Sequence, residues 1–160
     1  MDIKGKHVYT QGVETVFRSF GDKSRIEARF KALGARDIHI QTCTLTKTSL
    51  DMTMSREMPV HAPTLLKKFL GDWSLSTQEE HWVGSAAKGY ACDLKITLKG
   101  VPVTITGKLF LSGDAKACVN EVVMHFESNI PLVGKKLAEF VASQAASVMQ
   151  KEYEFIRDSF

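Results

Sequence analysis

The sequence predicts an α+β fold: a first strand, two short helices, then a curved antiparallel sheet wrapped around a long C-terminal helix. Three observations carry that expectation. Four segments alternate apolar and polar residues, the last segment repeats apolar residues with helical spacing, and Gly and Pro fall at the joints.

The elements follow in chain order. Val13, Val16, Phe17 and Phe20 recur at i, i+3, i+4 and i+7, and Gly21 supplies a stop. Ser24 and Glu27 read as a capping box for a second helix with the stripe Ile26, Phe30 and Leu33. Gly34 is placed to take the left-handed position after it. Period two then takes over. Leu50, Met52, Met54 and Met58 alternate with Asp51, Thr53, Ser55 and Glu57; Cys92, Leu94, Ile96 and Leu98 alternate with Asp93, Lys95 and Thr97. Val103, Ile105, Leu109 and Leu111 form a third set, and Val122, Met124 and Phe126 a fourth, with His125 on the opposite, wet face. Including a less regular segment ending at Trp82, five or six strands are expected after the helices. One short helix interrupts them, with Pro63 at its start, Leu65, Leu66, Phe69 and Leu70 as its apolar face, and Gly71 after it. Gly107, inside a strand, is a candidate bend.

The final helix is the strongest signal. Leu137, Phe140, Val141, Gln144, Val148, Met149, Glu152, Phe155 and Ile156 share one side of it. About 26 residues at 1.5 Å each make a rod of roughly 39 Å. Only the strands are broad enough to cover its stripe, and a helix crossing a curved sheet touches it unevenly, leaving space between the layers.

Composition narrows the function. The 160 residues are 44% apolar and 24% charged, in the globular range, and one domain spanning 1–160 is expected. A net charge of +3 comes from 21 basic and 18 acidic residues spread along the chain, with no basic stripe of the kind nucleic acid requires. Cys43, Cys92 and Cys118 fit no metal or redox spacing and read as free thiols of a reducing compartment. The five histidines show no metal-ligand spacing, and no nucleophile motif or cofactor signature is present. The start of the chain has no signal-peptide apolar stretch, and no segment has the ~18 to 20 apolar residues of a membrane span. The expectation is a cytoplasmic protein. Lys135 and Lys136, at the start of the last helix, read as solvated and leave room for transient contact with a membrane surface.

The element order, together with certain segments, resembles the START-like superfamily, the helix-grip fold that also includes birch-pollen-allergen and polyketide-cyclase groups. Those segments are Arg56-Glu57-Met58-Pro59, Lys68-Phe69-Leu70-Gly71 with Trp82 downstream, and Gly100-Val101-Pro102-Val103-Thr104-Ile105-Thr106-Gly107. Ile130-Pro131-Leu132-Val133-Gly134-Lys135-Lys136-Leu137-Ala138-Glu139, with Glu152 and Tyr153, completes the likeness, which is closest to a bacterial member family of unassigned function. The resemblance implies a cavity between sheet and helix, since superfamily members bind lipids, sterols and other hydrophobic molecules.

The candidate site follows from the two apolar faces. Met52, Met54, Leu94, Ile96, Ile105, Leu109, Met124 and Phe126 form the sheet wall; Leu137, Phe140, Val141, Gln144 and Val148 form the helix wall. Arg56 shares the phase of Met52 and Met54 and so points inward. One reading makes it the anchor of a ligand head group; the plainer and preferred one lets it emerge to solvent or pair with a structural acid. Gln78, Glu80 and Trp82 share one phase of a segment with no clean apolar face. Either Trp82 points inward and Glu80 meets Arg56, or the segment is an edge strand. The expected function is binding, with transport an extension of it, of a hydrophobic or amphipathic small molecule or lipid, without catalysis. The alternatives are a cyclase- or dehydratase-type enzyme using Arg56 and Glu80, and an interaction module with a filled core.

Overall fold

The computed structural model describes Met1–Phe160. In chain order it holds β1 (Asp2–Tyr9), α1 (Val13–Phe20), α2 (Lys23–Ala32), β2 (Arg36–Leu45), β3 (Ser49–Pro59) and α3 (Thr64–Leu70). There follow β4 (Trp73–Ser85), β5 (Gly89–Leu98), β6 (Thr104–Gly113), β7 (Cys118–Glu127) and α4 (Gly134–Asp158). The seven strands form one antiparallel sheet in the order β1-β7-β6-β5-β4-β3-β2. This is the helix-grip arrangement. No helix is long and apolar enough to cross a membrane.

Cross-strand register follows from the two faces of each strand. On the inner face Leu50 lies beside Trp82, Trp82 beside Cys92, and Cys92 beside Leu109. On the outer face Asp51 lies directly opposite His81, Asp93 opposite Lys108 and Asp2 opposite His125, each acid in contact with a basic side chain. A slip by one residue would put the core outside and these charges inside.

The strand without a legible pattern is β2. It is an edge strand with no buried residue, and its pairing with β3 shifts register twice, between Arg36 and His39 and between Ile40 and Thr42. With neither face fully buried, no alternation is imposed on it.

One local expectation is corrected, and another gains a spatial reason. Helix α2 begins earlier than the capping box implies: Asp22, not Ser24, is the cap, and its Oδ1 accepts hydrogen bonds from the backbone N–H of Ser24 and Arg25 at 3.0 and 3.2 Å. Asp22→Ala is therefore expected to cost about 1 kcal/mol, read as a lowered thermal midpoint, whereas Glu27→Ala should be near neutral. Gly107 keeps its pairing with Leu94 and Met124 on both sides, so its role is spatial: a Cβ there would come within 3.0 Å of Leu94 Cδ2. Gly34, at φ +90°, does take the left-handed position after α2. The apolar face expected of α3 is partial, since Leu66 and Leu70 are buried but Leu65 is 48% exposed.

Helix α4 packs on β1, β7 and α2. Tyr153 fixes it to β1: its hydroxyl donates to the Val8 carbonyl at 2.7 Å and its ring stacks on His7, centroids 4.5 Å apart. Helix α1 closes one end of the inner face, where Phe17 stacks on Tyr90 at 3.7 Å and meets Trp82 edge-on at 6.1 Å. Packing is thus dense over one side and one end of the sheet.

Candidate functional site

Between the inner face of β3–β7 and helix α4 lies a cavity of about 220 Å³. Of the residues expected at such a site, Arg56, Gln78, Glu80, Trp82, Leu94, Ile96, Ile105, Leu109, Met124 and Phe126 line it from the sheet. Phe140, Val141, Gln144 and Val148 line it from the helix. Met52, Met54 and Leu137 do not. They are at most 2% exposed and belong to the packed core with Phe17, Ile26 and Phe30 of the two short helices. Facing inward put them in the core but not against the space within it.

The helix wall continues past the expected Val148, along the rest of the stripe. Ala145, Met149, Glu152, Tyr153 and Ile156 also line the cavity, at the i+3 and i+4 offsets that keep residues on one helix face.

The inner face of β4 is a polar seam. Ser74, Ser76, Gln78, Glu80 and Trp82 alternate inward, flanked by β3 and by Leu94, Ile96 and Leu98 of β5. Trp82 is 1% exposed, so the segment is a central strand and the edge-strand alternative falls.

Arg56 and Glu80 do not meet. Glu80 accepts hydrogen bonds from Gln78 Nε2 at 2.8 Å and from Trp82 Nε1 at 3.0 Å, one on each oxygen. Burial pushes the Glu80 carboxyl above its ordinary range, opposed by the Trp82 hydrogen bond and the Arg29 charge. Arg56 neither emerges nor pairs, contrary to the plainer expectation. It is 6% exposed, and its Nε and Nη1 have no hydrogen-bond partner; its Cζ lies 4.1 Å from the centre of the Phe30 ring. Burial draws the guanidinium down to about 10, still charged at neutral pH.

The second arginine is a position that apolar periodicity passes over. Arg29 of α2, three residues after Ile26 on the buried stripe, is 5% exposed. Its Nε lies 3.3 Å from Glu152 Oε1, an ion pair too poorly aligned for a hydrogen bond. His7, Tyr9 and Asn120 line the cavity as well, and Asn120 Oδ1 is without a partner. Asn120 was readable, since it continues the phase of Val122 and Met124. Burial lowers the His7 pKa and raises that of Tyr9, favouring the neutral form of each. Lys135 and Lys136 are exposed, Lys135 within 4.0 Å of Glu139 one turn on, and neither lines the cavity.

The Glu80 environment predicts a pH dependence. A carboxyl held above its ordinary value keeps its proton in the folded chain after the unfolded chain has lost it. That contribution is present in acid and is lost as pH rises from the ordinary carboxylate range through the folded pKa. Glu80→Gln, with the Gln78 amide turned to accept, should remove this fall. Its stability gain over wild type in urea melts should be largest at neutral pH and vanish towards pH 4. An equal effect at every pH would contradict the assignment.

Comparison with known proteins places this architecture. Residues 4–159 match a family described as "Protein of unknown function (DUF2505)". No curated protein matches the sequence. Among solved structures the fold is similar to TTHA0849 of Thermus thermophilus, at TM-score 0.64, 11% identity and 99% of each chain. It is similar to Ara h 8.0201 at TM-score 0.59 and 10% identity, over 98% of this chain and 97% of that one. A START superfamily protein of Mycobacterium smegmatis matches at TM-score 0.52 and 11% identity, over 99% and 97%. At such identities the likeness is one of fold.

Proposed function

The chain belongs to DUF2505, a family of unknown function, and on that premise we propose from its cavity that it binds a hydrophobic or amphipathic small molecule between the sheet and α4. The cavity itself carries this reading. Protein interiors are close-packed, with few voids larger than a water molecule, so about 220 Å³ of open space inside one needs an occupant or a reason. A dry cavity of about 150 Å³ holds a benzene ring, so this one suits a ligand of about nine or ten non-hydrogen atoms. Its walls are mostly apolar, with polar groups along the β4 seam and at a few further points on β1, α2, β3, β7 and α4, the composition that small-molecule sites share. A filled, purely structural interior is at odds with that volume.

Native mass spectrometry of protein purified from its own host, followed by extraction, tests the proposal alongside titration with an apolar fluorescent probe. A bound small molecule or saturable probe binding is expected. Ala145→Phe, which puts a ring into the space from the helix side, should abolish probe binding without loss of thermal stability. Protein that is consistently empty and binds no probe would overturn the reading.

A further inference from the structure

Arg56 is the one arginine lining the cavity that forms no ion pair; Glu152 and Glu80 act on it only from beyond ion-pair distance. The two acids that line the cavity are both engaged elsewhere: Glu80 with Gln78 and Trp82, Glu152 with Arg29. Its contact with Phe30 offsets only a fraction of the cost of burying an unpaired guanidinium. One step along the polar seam, the Ser74 hydroxyl is also buried without a partner, and Ser74 sits diagonally across from Arg56 in the β3–β4 register. A cation and a neutral donor thus face the same space.

Resting on the cavity reading above, we infer that the ligand is an amphipathic monoanion whose carboxylate is held by Arg56, with its apolar part along Ile96, Ile105, Phe126 and Phe140. A guanidinium presents planar, paired donors that match a carboxylate. Glu80 and Glu152 on the same walls weigh against a dianionic head group. The volume accommodates about nine or ten non-hydrogen atoms, which makes an eight-carbon acid a suitable probe.

Calorimetric titration at pH 7 with octanoate, 1-octanol and octyl phosphate tests this. The wild-type protein is expected to bind octanoate at least about tenfold more tightly than 1-octanol, as a hydrogen-bonded charge should give. Arg56→Met should lose that preference, binding the two about equally, and Arg56→Lys should keep a reduced preference. Equal binding of acid and alcohol by the wild type, or an unchanged preference in folded Arg56→Met, overturns the inference and leaves the cavity reading standing. Tighter binding of octyl phosphate than of octanoate overturns the carboxylate assignment. Failure to bind any of the three overturns the inference, and the cavity reading falls separately if the apolar probe fails too. Should Arg56→Met not fold, the wild-type comparison of acid with alcohol still decides.

Discussion

Arg56→Met is expected to make the ligand-free protein more stable, by about 1–4 kcal/mol, the range seen when buried charges give way to apolar side chains of similar size. The side chain is 6% exposed and lies against the Phe30 ring of α2, opposite Ser76 of β4, where a thioether keeps the ring contact without burying an unpaired charge. The loss of the contact with Phe30 subtracts about 1 kcal/mol or less from that gain. For a chain of this size each kcal/mol moves the thermal midpoint by roughly 2–4 °C, so the shift is easy to measure. A variant less stable than wild type would mean that Arg56 is well paired in solution. A more stable variant that has lost preference for an acid would show a residue kept for binding at the expense of folding.

The opposite sign and a larger size are expected for Trp82→Ala, at about 3–5 kcal/mol lost. Trp82 is 1% exposed, meets Phe17 at 6.1 Å and Phe20 at 5.3 Å, and donates from its indole to Glu80. Its removal opens a void at the end of the sheet that α1 closes and strips Glu80 of one of two donors. Folded domains hold only about 5–15 kcal/mol in total, so this change takes a large share of it. Urea melts of Trp82→Ala and Trp82→Phe separate the two effects, since phenylalanine keeps most of the packing and none of the hydrogen bond. A loss under about 1 kcal/mol for the alanine variant would refute the account of α1 as a packed lid on that end.

The fold was legible because most strands bury one face, and burial writes period two into the residues. Leu94, Ile96, Ile105 and Phe126 could be assigned to the inner face on that ground alone, and the α4 stripe likewise. Strand β2 was not legible in the same way, because an edge strand whose inner face is only half-buried, at Ile38, Ile40 and Cys43, is under a weaker constraint and its register shifts break the alternation. The candidate site was half readable. Phase placed Arg56, Gln78 and Glu80 inside, but pairing partners depend on distances between strands and helices that no local pattern encodes. Thus the Arg56–Glu80 contact, one of two alternatives the phase allowed, gave way to Trp82 and Gln78, and Arg29 was hidden because a stripe is sought among apolar residues. Met52 and Met54 show the converse limit. Whether an inward residue meets packed atoms or open space is decided by where α1 and α2 lie, far from β3 in the chain.

The open sheet ends in a free edge at β2, and an unbroken edge is a template on which another chain can grow. Two register shifts, a left-handed Asp37 at φ 51°, and the charged Arg36 and Asp37 at its start interrupt the ladder that such growth requires. Irregular pairing there works as a guard against fibril formation, and a straightened β2 would be the place to look for aggregation.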